Sequence, residues 1–376
     1  METIFDEIGK ICFDTTNEID FYPYNRYMVV YRNMDRTKTA FCFGVPILKE
    51  KAKQIVDLTF SHNKFDSRYW GSSAEIIVTD FIRMKNGYGS CQIPLFGKIA
   101  KKTKDIIFCD LLDRCGEIRP TFNGLFFKVP CFMSRAFTVR IKIDQRFESV
   151  WSNDKCFAIM YSQFIPFITI SCIGTFNDRD KVIAPCTVDC EKVNDKEYIL
   201  TFKHQSRYGK YLAYEINMSE PKLFQDTTVE SRHSSINNAF GGTAFLGETD
   251  SFGEQWLYSR LDYSNLTELH NKNIIKAVLH IPKLDSGNCQ LIVNRLDKRF
   301  CSFGSNWNNK IPMSDQSVES LTSNGYYHID ITPFVASKGM NIENFVVRAK
   351  QNKSKKTVIS TGDSFYKPQI LEITFQ

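Results

Sequence analysis

The chain has 376 residues, a formal net charge of +6 and a pI near 8.6, so it exceeds one small sandwich and is only mildly basic. Aromatic residues make up 14%, with 31 Phe and 16 Tyr, which suits β-packing. No apolar run approaches the ~20 residues of a membrane-spanning helix, which excludes that kind of insertion.

Residues 1–22 read as an acidic lead-in, with six acidic residues in Met1–Asp20. They lack a basic segment followed by an apolar stretch, so the expectation is synthesis in the cytoplasm without a signal peptide. Thr3–Cys12 is the best helix candidate, with Ile4, Ile8 and Ile11 at helical spacing. A strand-rich region follows over 23–104, with runs at Tyr27–Tyr31, Thr39–Val45, Ile55–Phe60 and Ala74–Phe81. Asn86-Gly87 is a hairpin signal before Ser90–Leu95.

A β-sandwich is expected over 105–220. Phe137, Val139, Ile141 and Ile143 alternate with polar residues, as do Tyr198, Leu200 and Phe202, and Leu212, Tyr214 and Ile216. Period-two hydrophobicity puts one face of a strand on a core. Ser219-Glu220-Pro221 reads as a linker. Beyond it, over 222–376, the alternation is strongest: Ile275, Ala277, Leu279 and Ile281; Cys289, Leu291 and Val293; Tyr327, Ile329 and Ile331; Leu371, Ile373 and Phe375. Asp285–Asn288 and Ser323-Asn324-Gly325 supply turns. The expected fold is all-β: tandem antiparallel β-sandwich domains, jelly-roll-like, with little helix.

Twelve cysteines are scattered rather than regularly spaced, and Cys42 and Cys172 fall inside strand patterns. They read as reduced thiols in a reducing compartment rather than a disulfide framework. The densest basic runs are Lys98, Lys101, Lys102 and Lys104, then Lys350, Lys353, Lys355 and Lys356. With no recognised binding motif beside them they read as exposed turns, so no nucleic-acid partner is expected.

The last part of the chain resembles a known family. Asp226-Thr227-Thr228-Val229, then Asn238, Gly241-Gly242 and Leu246, resemble the opening of the DNRLRE-type β-sandwich, a module similar to the transforming-growth-factor propeptide fold. Arg260–Leu266, Ile275–Leu279, Trp307 with Ile311-Pro312, Tyr327–Val335 and Pro368–Ile373 resemble its later segments in order. An acidic residue and a second tryptophan usual before Trp307 are replaced by Cys301–Ser305. The resemblance implies a surface module, adhesive or structural, on about 150 residues.

Chemistry-bearing sets are few. His328 and Asp330 share a strand face and could act as base and orienter, but the sequence places no nucleophile beside them. Cys186 and Cys190, with His204 nearest, could approach a zinc site. Glu248, Asp250 and Glu254 could hold calcium, the one cofactor considered; otherwise no cofactor or metal is expected. Asp144, Glu148 and Asp154 are the carboxylates that a polysaccharide-acting enzyme would draw upon. Trp256, Tyr258, Trp307 and Tyr326 are the candidate glycan contacts, with Tyr69-Trp70 and Tyr327 beside them, because flat apolar rings stack on sugar faces.

The expected function is a non-catalytic structural or adhesive protein of a large surface assembly, foremost a phage virion component such as a tail fibre, baseplate or head appendage. A carbohydrate-binding module, a spore-coat protein and a polysaccharide-acting enzyme are the alternatives. Partners would be further copies of the chain, other structural proteins of the assembly and surface glycan, and the final location a virion or spore surface.

Overall fold

The computed structural model describes residues 20–23, 28–44, 59–61, 64–70, 75–103, 106–121, 123–131, 136–145, 147, 149–163, 165–204, 208–219, 222–262, 266–335, 344–350 and 355–376. For 20–23, 29, 32, 59–61, 64–70 and 268 only the backbone is described. The chain is nearly all β, and among the described residues there is no α-helix, only short 3-10 turns. The helix candidate Thr3–Cys12 lies outside the described residues.

Two compact units divide the chain. One comprises residues 1–52, 221–239 and 243–376; the other comprises 53–220 with 240–242. This differs from the four consecutive segments read from the sequence, and strand pairing is the reason. Lys38–Phe43 runs antiparallel to the last strand, Ile370–Phe375, from Lys38↔Phe375 to Phe43↔Ile370. Met28–Arg32 in turn pairs with Lys38–Phe43. The expected boundary at 104 is also bridged, because Gly89–Pro94 pairs with Ala136–Ile143 at Cys91↔Ile143.

In the first unit, thirteen described strands form one antiparallel sheet that folds over on itself. One layer runs Asp20–Pro23, Met28–Arg32, Lys38–Phe43, Ile370–Phe375, Ile274–Pro282 and Tyr326–Asp330. The long strand Met313–Ser323 turns the corner. Its end, Ser320–Ser323, pairs with Tyr326–Asp330, and its earlier part pairs with Leu291–Leu296. From there the second layer runs through Phe345–Ala349 and Gly253–Leu261 to Phe224–Glu230, Thr243–Thr249 and Thr357–Ser360. Every second residue of each layer points inward, so Ala40, Cys42, Leu279, Ile329 and Leu371 of one layer share a core with Leu257, Leu291, Val293 and Val347 of the other.

The alternation has one informative break. Ile275 is 45% exposed, whereas Ile274 is buried. The pairing with the last strand slips between Ile274 and Lys276, and such a bulge reverses the inward parity of everything before it.

In the second unit a nine-stranded sheet is centred on Ile165–Phe176, Tyr211–Met218 and Gly124–Pro130, and an eight-stranded sheet on Glu197–His204, Ala136–Ile143 and Gly89–Pro94. Their facing sides form one core. Phe127 and Tyr214 are register partners on adjacent strands with rings 4.8 Å apart. Phe202, from the other sheet, stacks on Tyr214 at 4.3 Å. Ala74–Phe81 is two strands rather than one, Glu75–Val78 and Phe81–Asn86, joined by a tight turn. Asn86-Gly87 opens the next hairpin, as its turn chemistry predicts. The lysines of the run at 98–102 lie on Lys98–Lys102, the last described strand of its sheet, where exposed charge discourages a further strand from pairing.

Candidate binding site

On the outer face of the first unit's second layer, a small apolar cluster collects residues of opposite parity to the main core: Val229, Tyr258, Leu296, Phe300 and Val346. Strand Gly253–Leu261 supplies its centre, because Leu257 points inward while Trp256 and Tyr258 point out. The segment from Phe300 to Pro312 crosses this face and lays Trp307 beside Trp256, with ring centroids 5.0 Å apart and planes tilted by 53°. Both indoles are half-buried.

That segment is held at many points. Asn306 begins a single 3-10 turn, Trp307–Asn309, with a reciprocal capping box to Asn309. The Asn237 side-chain amide donates to the carbonyls of Ser302 and Ser305 at 2.6 and 2.7 Å, and the Asn308 N–H donates to the Ser234 carbonyl at 3.0 Å. The Ile311 N–H donates to the Tyr258 hydroxyl oxygen at 3.2 Å. Burial pushes the Tyr258 phenol above its usual range, which keeps it neutral. Trp256 Nε1–H donates to Glu254 Oε1 at 2.9 Å, fixing the indole orientation. Lys310 completes the group, its ammonium 3.7 Å from the Trp307 ring centroid and 4.7 Å from that of Trp256. Asn308, Asn309, Lys310 and Glu254 are exposed around the two rings.

Of the four expected glycan contacts, the structure brings Trp256, Tyr258 and Trp307 together. Tyr258 is fully buried, so its ring packs in the cluster and its hydroxyl anchors the loop instead of meeting a ligand. Tyr326 is 3% exposed and belongs to the other layer, 6.3 Å from His328. Tyr327 points into the main core and donates to Thr357 Oγ1 at 2.8 Å. Tyr69 and Trp70 lie on a strand whose side chains are outside the described residues. Sequence reasoning missed Lys310 and the asparagines and placed Glu254 in a calcium set rather than beside Trp256; the Asn306-x-x-Asn309 spacing is the signal that announces the capped turn.

The remaining sets resolve differently. His328 does not meet Asp330, whose carboxylate accepts from Thr332. Instead a row of hydrogen bonds crosses four neighbouring strands. Glu372 Oε2 lies 3.0 Å from His280 Nε2, His280 Nδ1 lies 2.7 Å from His328 Nδ1, and His328 Nε2 lies 2.7 Å from Ser323 Oγ. With Glu372 accepting and both imidazoles neutral the tautomers are forced: each imidazole donates toward Glu372, and Ser323 donates to His328. Nothing in the spacing of these residues announces the row. Cys186 and Cys190 lie four residues apart on one strand, about 13 Å, too far to share one ion. Glu248 and Glu254 face each other across a hairpin near Asp250. Among the described residues no group of three or more His, Cys, Asp or Glu has metal-site geometry. Asp144 accepts from the Ser90 N–H and hydroxyl at 3.0 and 2.9 Å, while Glu148 is outside the described residues.

Neither a protein-family model nor a curated protein matches the chain.

Proposed function

We propose that this chain is a non-catalytic structural and adhesive component of a large surface assembly, foremost a phage virion appendage, and that it contacts surface glycan through Trp256 and Trp307. The observation that carries the reading is the paired indoles on an all-β scaffold, half-buried and fixed before any ligand arrives. Aromatic faces stack on the C–H faces of sugar rings, and the exposed amide of Asn308 stands where a hydroxyl group would be read. Lys310 covers the rings and must swing aside for a sugar to stack. That motion costs about 0.5–1 kcal/mol at an exposed site. The DNRLRE-type resemblance belongs to the same proposal, since it implies a surface module in this part of the chain.

The test is a glycan array probed with the full chain. Retention of a defined glycan class, weakened tenfold or more in Trp307→Ala while thermal stability is kept, supports the site. A signal equal in the wild type and the variant defeats it. The assembly reading is tested separately by sedimentation. A monodisperse monomer that separates from every particle in its source would overturn it.

A further inference from the structure

At the opposite end of strand Phe224–Glu230 from its pairing with Gln255, Lys222 meets two buried carboxyl side chains. Asp226 is 2% exposed and Asp363 7% exposed, and Lys222 bonds directly to Asp363 Oδ1. Asp226 Oδ2 accepts the Gly362 N–H. Asp226 Oδ1 and Asp363 Oδ2 are both buried without a hydrogen-bond partner. Two buried carboxyls with a single ammonium beside them are favoured with one proton between them, since burial penalises each uncompensated charge. Burial first, and then the charge of Asp363, push Asp226 well above the usual carboxylate range, so Asp226 holds that proton.

The surroundings keep the group closed. A Cβ at Gly362 would stand 2.5 Å from Phe224 Cβ and 3.0 Å from Asp226 Oδ2, so this close approach of loop to strand requires glycine. The Phe365 ring lies 5.4 Å from Lys222 Nζ. An amine and a carboxyl carbon are thus fixed in contact, with a second buried carboxyl at the same loop and the Phe365 ring near the amine.

We propose that Lys222 and Asp363 become joined by an intramolecular isopeptide bond from Nζ to Cγ, with Asp226 as the assisting acid. The ion pair first neutralises itself, a proton passing from the Lys222 ammonium to the Asp363 carboxylate. The amine then attacks Cγ while Asp226 lends its proton to the carbonyl oxygen. Collapse breaks one Cγ–O bond, and that oxygen leaves as water with the two protons that Nζ has lost. Asp226 regains its proton. Nothing is oxidised or reduced, and no co-reactant is needed. Fixed contact replaces a bimolecular encounter, for which effective molarities of about 10⁵–10⁸ M are attainable, and exclusion of water opposes the reverse hydrolysis. The proposal does not depend on the glycan reading.

Intact-mass spectrometry of the reduced full chain decides it. The expected mass is that of the sequence less one water, and protease digestion should yield a branched peptide joining Lys222 to Asp363. Lys222→Arg and Asp226→Asn should both restore the full mass. Asp226→Asn keeps the shape of the side chain, and its Tm is expected to fall by about 10 °C or more as a closed loop of 141 residues opens. A wild-type mass equal to the full sequence overturns the proposal. So does water loss without the branched peptide, which marks a succinimide, or water loss that persists in Lys222→Arg.

Discussion

Single residues decide how the first unit responds to pH. His328 is 9% exposed and faces His280, Glu372, Ser323 and the Tyr326 ring. Burial first, and then the neighbouring His280, hold its imidazole below the ordinary 6.5. In the window just below 6.5 the unfolded chain therefore binds a proton that the folded chain refuses. Stability must rise with pH across that window and fall as the solution is acidified, by at most about 1.4 kcal/mol per pH unit for one proton. Once protonated, His328 can no longer accept from Ser323, and its Nε2–H has the Ser323 carbonyl at 3.3 Å as the alternative acceptor. Urea midpoints measured between pH 5 and 7 should show this slope in the wild type and a flatter one in His328→Asn. Equal slopes would place the titration elsewhere. None of this is legible from spacing. The sequence suggests His328 with Asp330 because they share a face, but register, set by a hairpin and a distant strand, puts His280 and Ser323 there instead.

Elements show where alternation suffices and where it fails. Tyr327, Ile329 and Ile331 are buried as their spacing predicts, as are Leu371, Ile373 and Phe375, because a half-wet strand has one way to face its core. Pairing partners over long separations are not encoded locally. Lys38–Phe43 shows a strand pattern, yet nothing in it says that its neighbour is Ile370–Phe375. The consequence is testable. Residues 222–376 alone would leave Ile370–Phe375 as an open edge and remove Met28, Val30, Ala40 and Cys42 from the core. Burial of such side chains is worth about 1.5–3 kcal/mol for each large one, against a typical stability of about 5–15 kcal/mol. The fragment is expected to aggregate when expressed. Residues 1–52 joined by a flexible linker to 221–376 should run as a soluble species on size exclusion. A well-dispersed 222–376 fragment would show that the N-terminal strands are dispensable. The binding site follows the same division: Trp256, Tyr258 and Trp307 stand out in the sequence as aromatic residues, while the loop that unites them is fixed by Asn237, some seventy residues away.

Across the whole molecule the thiols offer a test of both sandwiches at once. Eleven cysteines lie among the described residues and none of them is in a disulfide. Most are packed as small apolar side chains, and burial pushes Cys91, Cys109 and Cys131 up to about 12, where the reactive thiolate is negligible at neutral pH. Cys115 and Cys301 are the exposed ones, and burial with nearby Asp110 raises Cys115 also. Brief treatment of the folded chain with iodoacetamide at pH 7.5 is therefore expected to modify Cys301 first and Cys115 more slowly. Cys91, Cys109 and Cys131 in the second unit and Cys42 in the first should react only after denaturant opens the cores. Mass spectrometry of peptides at increasing urea would follow each position. Because each unit has its own core, Cys42 and Cys91 report on different sandwiches, and separate midpoints for the two would mark independent unfolding. Early modification of Cys91 or Cys109 in the absence of denaturant would contradict the packing of the second unit, since each of these sulfurs is closed off by both of its sheets.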